Sequence, residues 1–294
     1  MNKVGFIGVG IMGKSMVRNL MKAGFELHIY ARTKSKVEDV IGEGAQFPES
    51  IKDCVQDCDA VITIVGFPQD VEEVYFDQGN ILDSAKEGAY LIDMTTTSPQ
   101  IAEKIYAEGT KRGFHVMDAP VTGGDTGAKA GTLSILVGGE KEDYEACMPL
   151  FEAMGTNINY QGKAGCGQHC KLANQIMIAG TLSGVCEALT YAKEQGLDPE
   201  VFMKSVATGA AGSKQLDTFG PKILKDDYAP GFFMKHFIKD MKLALIEANR
   251  KGLSLDVLSM VLANYEELEQ EGYGDLGTQA LMKFYDEEHR NTEE

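Results

Sequence analysis

The sequence predicts an α/β domain with a largely parallel sheet, followed by an all-α domain entered by a long helix. Two patterns carry this expectation. Over the first half, short apolar runs alternate with helical patterns, and strand, helix, strand at this spacing places helices on the faces of a parallel sheet. From Gly167 onward strand signals largely vanish and apolar residues recur at helical spacing. The expected division falls near residue 162, giving domains 1–162 and 163–294.

In order along the chain, "KVGFIG" begins the sheet and a helix from Met12 to Ala23 follows it. Next come "ELHIY", a second helix, and then "AVITIV", "AYLIDM", "FHVMDAP" and "LSILVGG" as further strands. In the second domain "HCKLANQIMIAGTLSGVCEALTYAKEQG" and "FIKDMKLALIEANRKG" read as helices, each stopped by glycine. The tail "DEEHRNTEE", 286–294, reads as a solvated helix end. There is no internal repeat and no low-complexity linker.

A chain of 294 residues, 44% hydrophobic, is ample for a large core and suits one large domain plus a smaller one. Its 28 basic and 44 acidic residues leave a formal charge of −16, which argues against a phosphate-coating surface and so against nucleic acid as a partner. No uninterrupted apolar run approaches the ~18 residues a membrane helix needs, so no membrane association is expected. The first strand starts too close to Met1 to leave room for a secretory leader. Six cysteines without the density of a disulfide scaffold suggest reduced thiols and a cytoplasmic protein, with Cys54 and Cys58 as small buried side chains.

Gly8-Val9-Gly10-Ile11-Met12-Gly13 follows the first strand directly and begins a helix, the context that separates a dinucleotide fingerprint from a chance glycine spacing. Gly8 allows the tight turn, Gly10 lets the backbone approach a pyrophosphate, and Gly13 lets helix and strand pack closely. The N–H groups of the helix start, at Ile11 and Met12, face the anion. The domain is therefore expected to be Rossmann-type. An NAD-binding fold usually places Asp or Glu at the end of the second strand for the ribose 2′-hydroxyl. Here Ala31-Arg32-Thr33-Lys34-Ser35-Lys36 follows that strand, and Arg32, Thr33 and Lys36 suit a 2′-phosphate, favouring NADP over NAD. Gly66 and Phe67, and Thr95 and Thr96, follow later strands at the carboxyl edge of the sheet, where such folds bind ligands.

Asp118-Ala119-Pro120-Val121-Thr122-Gly123-Gly124 ends in a hydroxyl and two flexible residues whose backbone N–H groups suit a carboxylate. Lys171, Asn174 and Gln175 stand at i, i+3 and i+4, on one face of the helix that starts the second domain. A lysine held there with a lowered pKa suits proton exchange at neutral pH; a snorkelling surface lysine is the plain alternative. In "AGCGQHCKLANQ", Cys166, His169 and Cys170 resemble metal ligands. A closed zinc site needs about four that converge and no partner pair occurs elsewhere, so no metal is expected.

At this point the chain resembles the β-hydroxyacid dehydrogenase family, which includes 3-hydroxyisobutyrate dehydrogenases, tartronate semialdehyde reductases and glyoxylate/succinic semialdehyde reductases. Four motifs in order carry the resemblance: "GFIGVGIMG" at 5–13, "DAPVTGG" at 118–124, "GCGQHCKLANQ" at 165–175 and "KHFIKDMKLAL" at 235–245. The resemblance implies hydride transfer between a nicotinamide cofactor and a small carboxylate-bearing hydroxyacid or semialdehyde. It implies that Thr122, where the family more often has Ser, holds the carboxylate together with Gly123 and Gly124. It also implies Lys171 as acid/base, Asn174 as the residue that orients substrate, Lys239 reaching toward the cofactor beside Asp240, and Phe232 as an aromatic wall of the substrate site. Relatives with an Arg-Thr-x-x-Lys segment after the second strand tend to use NADP. Gly66-Phe67 departs from the Pro and polar residue common at that point. A second domain like that of 6-phosphogluconate dehydrogenase and a homodimer or homotetramer are further implications. The competing readings are an imine reductase, which shares the architecture but generally lacks the lysine, and a non-catalytic dinucleotide-binding module.

Overall fold

The computed structural model describes residues 1–285; the tail whose helix end the sequence suggested lies outside the described residues. The chain forms two compact units, one of Met1–Lys171 and one from Leu172 onward. The division falls within the helix Cys166–Glu194, whose first turn belongs to the first unit.

The first unit is built on one sheet of eight strands. These are β1 (Lys3–Ile7), β2 (Glu26–Tyr30), β3 (Ala60–Thr63), β4 (Tyr90–Asp93), β5 (His115–Asp118), β6 (Val121–Thr122), β7 (Leu133–Gly139) and β8 (Gly155–Gly162). Their spatial order is β2-β1-β3-β4-β5-β7-β6, and β8 pairs with β7. Strands β1 to β5 are parallel, whereas β7 runs antiparallel to β5 and β6. The chain moves from β1 to β2 on one side and then crosses to β3 on the other. A reversal of this kind creates a crevice outside the carboxyl ends of the strands.

The parallel strands are apolar at nearly every position because both faces of the sheet are covered. Register makes the two faces explicit. Val61, Leu91 and Val116 align across β3, β4 and β5 and pack with Val55, Tyr75 and Ile105. The next residues, Ile62, Ile92 and Met117, align on the opposite face and pack with Phe6, Met16, Leu20 and Ile29. Cys54 and Cys58 are fully buried in the first of these layers, and burial pushes both thiols up to about 12. The helix Ile11–Lys22 follows β1 within one residue of each expected boundary, burying Gly13, Met16, Val17 and Leu20 at helical spacing.

Two strands carry no clear sequence signal. Strand β6 is two residues long, and β8, "GTNINYQG", is an edge strand exposed along most of its length. Its polar Asn157, Asn159 and Gln161 leave no two-sided apolar run, so pairing with β7 rather than burial makes it a strand.

The second unit is helical. Its helices are the remainder of Cys166–Glu194, then Pro199–Val206, Lys214–Ile223, Met234–Arg250 and Asp256–Gln270, followed by 3₁₀ turns at Tyr273–Asp275 and Thr278–Tyr285. Gly196 and Gly252, both at positive φ, follow the two long helices and end them. Leu172, Ala179, Leu182, Cys186 and Leu189 from the first helix meet Phe237, Met241, Val261, Tyr265 and Leu268 in one core. The Cys166–Glu194 helix is by length and composition long and apolar enough to cross a membrane, a property it shares with central core helices, which must be apolar on several sides.

Candidate active site

The turn after β1 sits at the reversal of strand order. Gly8 adopts φ +98°, and a Cβ there would lie 2.0 Å from the Ile64 carbonyl oxygen, so only glycine fits against the end of β3. A Cβ on Gly13 would lie 2.2 Å from the Gly8 carbonyl oxygen, which is how closely helix and turn pack. Gly10 differs: nothing stands within 4 Å of its Cβ direction. It is the N-cap of the helix Ile11–Lys22, with no side-chain cap and no acidic residue in the first turn. The N–H groups of Ile11, Met12 and Gly13 therefore carry the positive end of a helix at an open, glycine-bared approach, and these residues fit the pyrophosphate of a dinucleotide.

At the end of β2, Arg32, Thr33, Lys34 and Lys36 are all exposed. No carboxylate follows β2 directly, but one reaches the same place from another element. Arg32 Nη1 donates to Asp70 Oδ1 at 3.1 Å, and Asp70 Oδ2 accepts the Phe67 N–H at 3.0 Å, capping the helix Pro68–Phe76. Sequence reasoning missed Asp70 because it lies 38 residues from its partner. Gly66 is half-buried and Phe67, at the N-cap, lies at the surface.

The residues just beyond β3, β4 and β5 are tied together by buried polar groups. Thr63, Asp93 and Asp118 occupy aligned register positions at the ends of these strands. Asp93, 2% exposed, accepts from the Thr63 hydroxyl at 2.8 Å and the Thr95 N–H at 3.1 Å. Burial pushes its carboxyl up to about 6. Thr95 is also buried: its hydroxyl accepts the Val65 N–H at 3.0 Å, so this side chain joins two loops. Thr96 is half-buried beside it.

Asp118 caps the helix that carries the lysine. Its Oδ1 accepts the Gly165 N–H at 2.7 Å and its Oδ2 the Gln168 N–H at 2.8 Å. Burial raises its carboxyl above the usual range despite these bonds and the nearby His169. Gly167 permits the approach, since a Cβ there would meet the Leu136 carbonyl oxygen at 2.3 Å. The Gln168 side chain, fully buried, bonds the backbone of both Thr95 and Thr97. Lys171, one turn further, is 7% exposed, which departs from a snorkelling surface lysine. Asp118 and Gln168 had no role in the sequence reading. The glycines either side of Cys166 were the available sign that something packs closely there.

Thr122 ends β6, half-buried, and Gly123 and Gly124 follow at φ +132° and +66°. Both conformations favour glycine, and a Cβ on Gly124 would point into open space. Cys166 and Cys170 are half-buried and His169 exposed; among the described residues no group of three or more His, Cys, Asp or Glu is placed to hold a metal ion.

In the second unit, Asn174 Nδ2 donates to Gln175 Oε1 at 2.8 Å, and Gln175 Nε2 donates to Asp240 Oδ2 at 2.7 Å. Lys239 Nζ stands 3.0 Å from the other Asp240 oxygen. Asp240 is 1% exposed; its Oδ2 accepts the Gln175 amide, while its Oδ1 is ion-paired with Lys239 without a hydrogen bond of its own among the described residues. An acceptor-only carboxylate can take only the Nε2 end of Gln175, which turns Oε1 toward Asn174 and fixes that side chain. Phe232 is half-buried, edge-on to Phe237 with ring centres 5.9 Å apart, at the margin of the helical core.

Comparison with known proteins agrees with this arrangement. The family described as the NAD binding domain of 6-phosphogluconate dehydrogenase matches residues 3–162. That described as NAD-binding of NADP-dependent 3-hydroxyisobutyrate dehydrogenase matches residues 165–285. An uncharacterised oxidoreductase of Bacillus subtilis is 49% identical over 96% of this chain and 98% of its own. A 3-hydroxyisobutyrate dehydrogenase-like protein of Arabidopsis thaliana is 44% identical over 95% of this chain and 84% of its own. The solved 3-hydroxyisobutyrate dehydrogenase of Mycobacterium tuberculosis with L-serine has a TM-score of 0.87 at 26% identity, covering 96% of this chain and 98% of that one. A Rossmann-type glycine cradle, a helical second unit and these likenesses together show that the chain belongs to the β-hydroxyacid dehydrogenase family, NAD(P)-dependent oxidoreductases that act on CH–OH donors.

Proposed function

We propose that the protein is an NADP-preferring enzyme that interconverts a small β-hydroxyacid and its semialdehyde. The observation that carries this reading is the pairing, within one compact unit, of an uncapped helix N-terminus bared by Gly10 and a buried lysine, Lys171. The backbone N–H groups of Ile11, Met12 and Gly13 hold the pyrophosphate, while Arg32, Thr33 and Lys36 pair with a 2′-phosphate. Gly66, Phe67, Thr95 and Thr96 border the rest of the cofactor, and the family resemblance assigns Lys239 and Asp240 to cofactor binding as well. When bound, the nicotinamide supplies or accepts the hydride.

The substrate class follows from the remaining groups. Thr122 and the backbone N–H groups of Gly123 and Gly124 hold a carboxylate, Phe232 bounds the substrate, and Asn174 orients its oxygen. As the carbonyl is reduced, Lys171 donates a proton to that oxygen; in oxidation it takes the proton from the hydroxyl. Names among the relatives support a small hydroxyacid: 3-hydroxyisobutyrate in the Arabidopsis protein's name and L-serine, itself a β-hydroxyacid, with the Mycobacterium enzyme.

A homodimer or homotetramer in the cytoplasm completes the reading. Met177, Tyr191, Leu197, Val201, Val257 and Met260 of the helical unit are large, apolar and half or more exposed, the composition of a surface that another copy covers.

The test is NADPH and NADH consumption with glyoxylate, succinic, tartronate and methylmalonate semialdehydes. Turnover of at least one with NADPH favoured, and loss of that preference in Arg32→Ala, is the expected result. Cofactor binding without consumption across the panel would identify a non-catalytic module, and equal use of NADH would refute the NADP assignment.

A further inference from the structure

Gln168 is a polar side chain in the interior whose amide bonds the backbone at both ends. It sits in the first turn of the helix Cys166–Glu194 and is fully buried. Its Nε2 donates to the Thr95 carbonyl at 2.7 Å, and its Oε1 accepts the Thr97 N–H at 3.0 Å. A backbone carbonyl only accepts and a backbone N–H only donates, so the two partners fix which end of the amide is which. The main chain of Gln168 is held as well, its N–H donating to Asp118 Oδ2 at 2.8 Å. One residue thus ties the helix start both to β5 and to the segment after β4.

That segment is in turn fixed on its far side. The Thr95 N–H donates to Asp93 at 3.1 Å, and the Thr95 hydroxyl accepts from Val65 at 3.0 Å. A continuous path of hydrogen bonds, part-buried at Val65 and buried from Thr95 onward, therefore runs from the loop after β3, through Thr95, to Gln168. Lys171 follows at i+3, one turn along the same face of the helix. Burying an amide is costly unless both ends are bonded, so an apolar side chain of similar volume would serve a purely packing purpose with less risk.

We propose that Gln168 is a positioning residue for proton transfer: it sets the pitch and distance of Lys171 relative to the 95–97 segment at the carboxyl edge of the sheet. The proposal rests on the reading of Lys171 as the acid/base. Misplacing a reacting group by about 1 Å costs on the order of 100-fold in rate, so loss of this clamp acts on turnover more than on binding.

Three variants test it with NADPH and the best semialdehyde of the panel. Gln168→Met keeps the volume and removes both hydrogen bonds; kcat is expected to fall roughly 10- to 100-fold with the KM for NADPH nearly unchanged. Gln168→Glu can accept from Thr97 but sets a carboxylate oxygen against the Thr95 carbonyl. Protonation replaces that repulsion with an O–H donor, so the kcat of this variant relative to wild type is expected to rise as pH falls, a recovery that packing alone does not produce. If Gln168→Met does not fold, the pH dependence of Gln168→Glu decides. Lys171→Ala separates the two ideas. Retained turnover there overturns the acid/base reading and the positioning role with it. Lost turnover there, with wild-type kcat in folded Gln168→Met or no acid recovery in Gln168→Glu, overturns the positioning role alone.

Discussion

Among single residues, the three glycines of the first turn make separable predictions because they meet different neighbours. An added Cβ at Gly10 touches nothing within 4 Å, and its φ of −85° is open to any residue, so Gly10→Ala is expected to keep the wild-type unfolding temperature. It stands where a phosphate would approach, and loss of one hydrogen bond to a charged group, about 1.5–3 kcal/mol, weakens NADPH binding roughly 10- to 100-fold. Gly13→Ala drives its Cβ to 2.2 Å of the Gly8 carbonyl and is expected to lower thermal stability as well. Calorimetry beside cofactor titration distinguishes them, and unchanged NADPH affinity in Gly10→Ala would contradict the cradle. These glycines were legible in the sequence because a short local pattern defines them. Gln168 was not, since its backbone partners lie 71 and 73 residues away and glutamine carries no signal of what it will bond.

Among elements, the carboxyl ends of β3, β4 and β5 act together through Thr63, Asp93 and Asp118. Burial holds the Asp93 carboxyl up to about 6, with a smaller contribution from Asp118 on the neighbouring strand. The folded state thus keeps a proton that the unfolded chain releases near 3.8, and ionising Asp93 inside the fold at pH 7 costs about 3 kcal/mol. Stability is therefore expected to rise as pH falls from 7 through 6 and to level off near 4. Asp93→Asn removes this titration, so its denaturation midpoint should vary less with pH over that range. Parallel slopes for variant and wild type would show that Asp93 does not titrate there. The strands themselves were legible as two-sided apolar runs, and the long helices by their spacing and terminal glycines. Strand β8 escaped because an edge strand with polar Asn157 and Asn159 owes its form to pairing with β7, which no local pattern shows.

For the whole molecule, the sequence implied a nucleotide unit and a helical unit, and the compact division at Lys171 lies beyond the 162/163 boundary. The difference has a physical cause. Asp118 and Gln168 bind the first turn of the long helix to the sheet, so Lys171 belongs with the nucleotide unit although the helix continues into the second. The central claim is that this lysine exchanges the proton that accompanies hydride transfer. Its most direct test is the turnover of Lys171→Ala with NADPH and the preferred semialdehyde, at saturating cofactor and with NADPH affinity verified by titration. A fall in kcat of roughly 100- to 10,000-fold with cofactor binding intact is the predicted result; near-wild-type turnover would contradict the account.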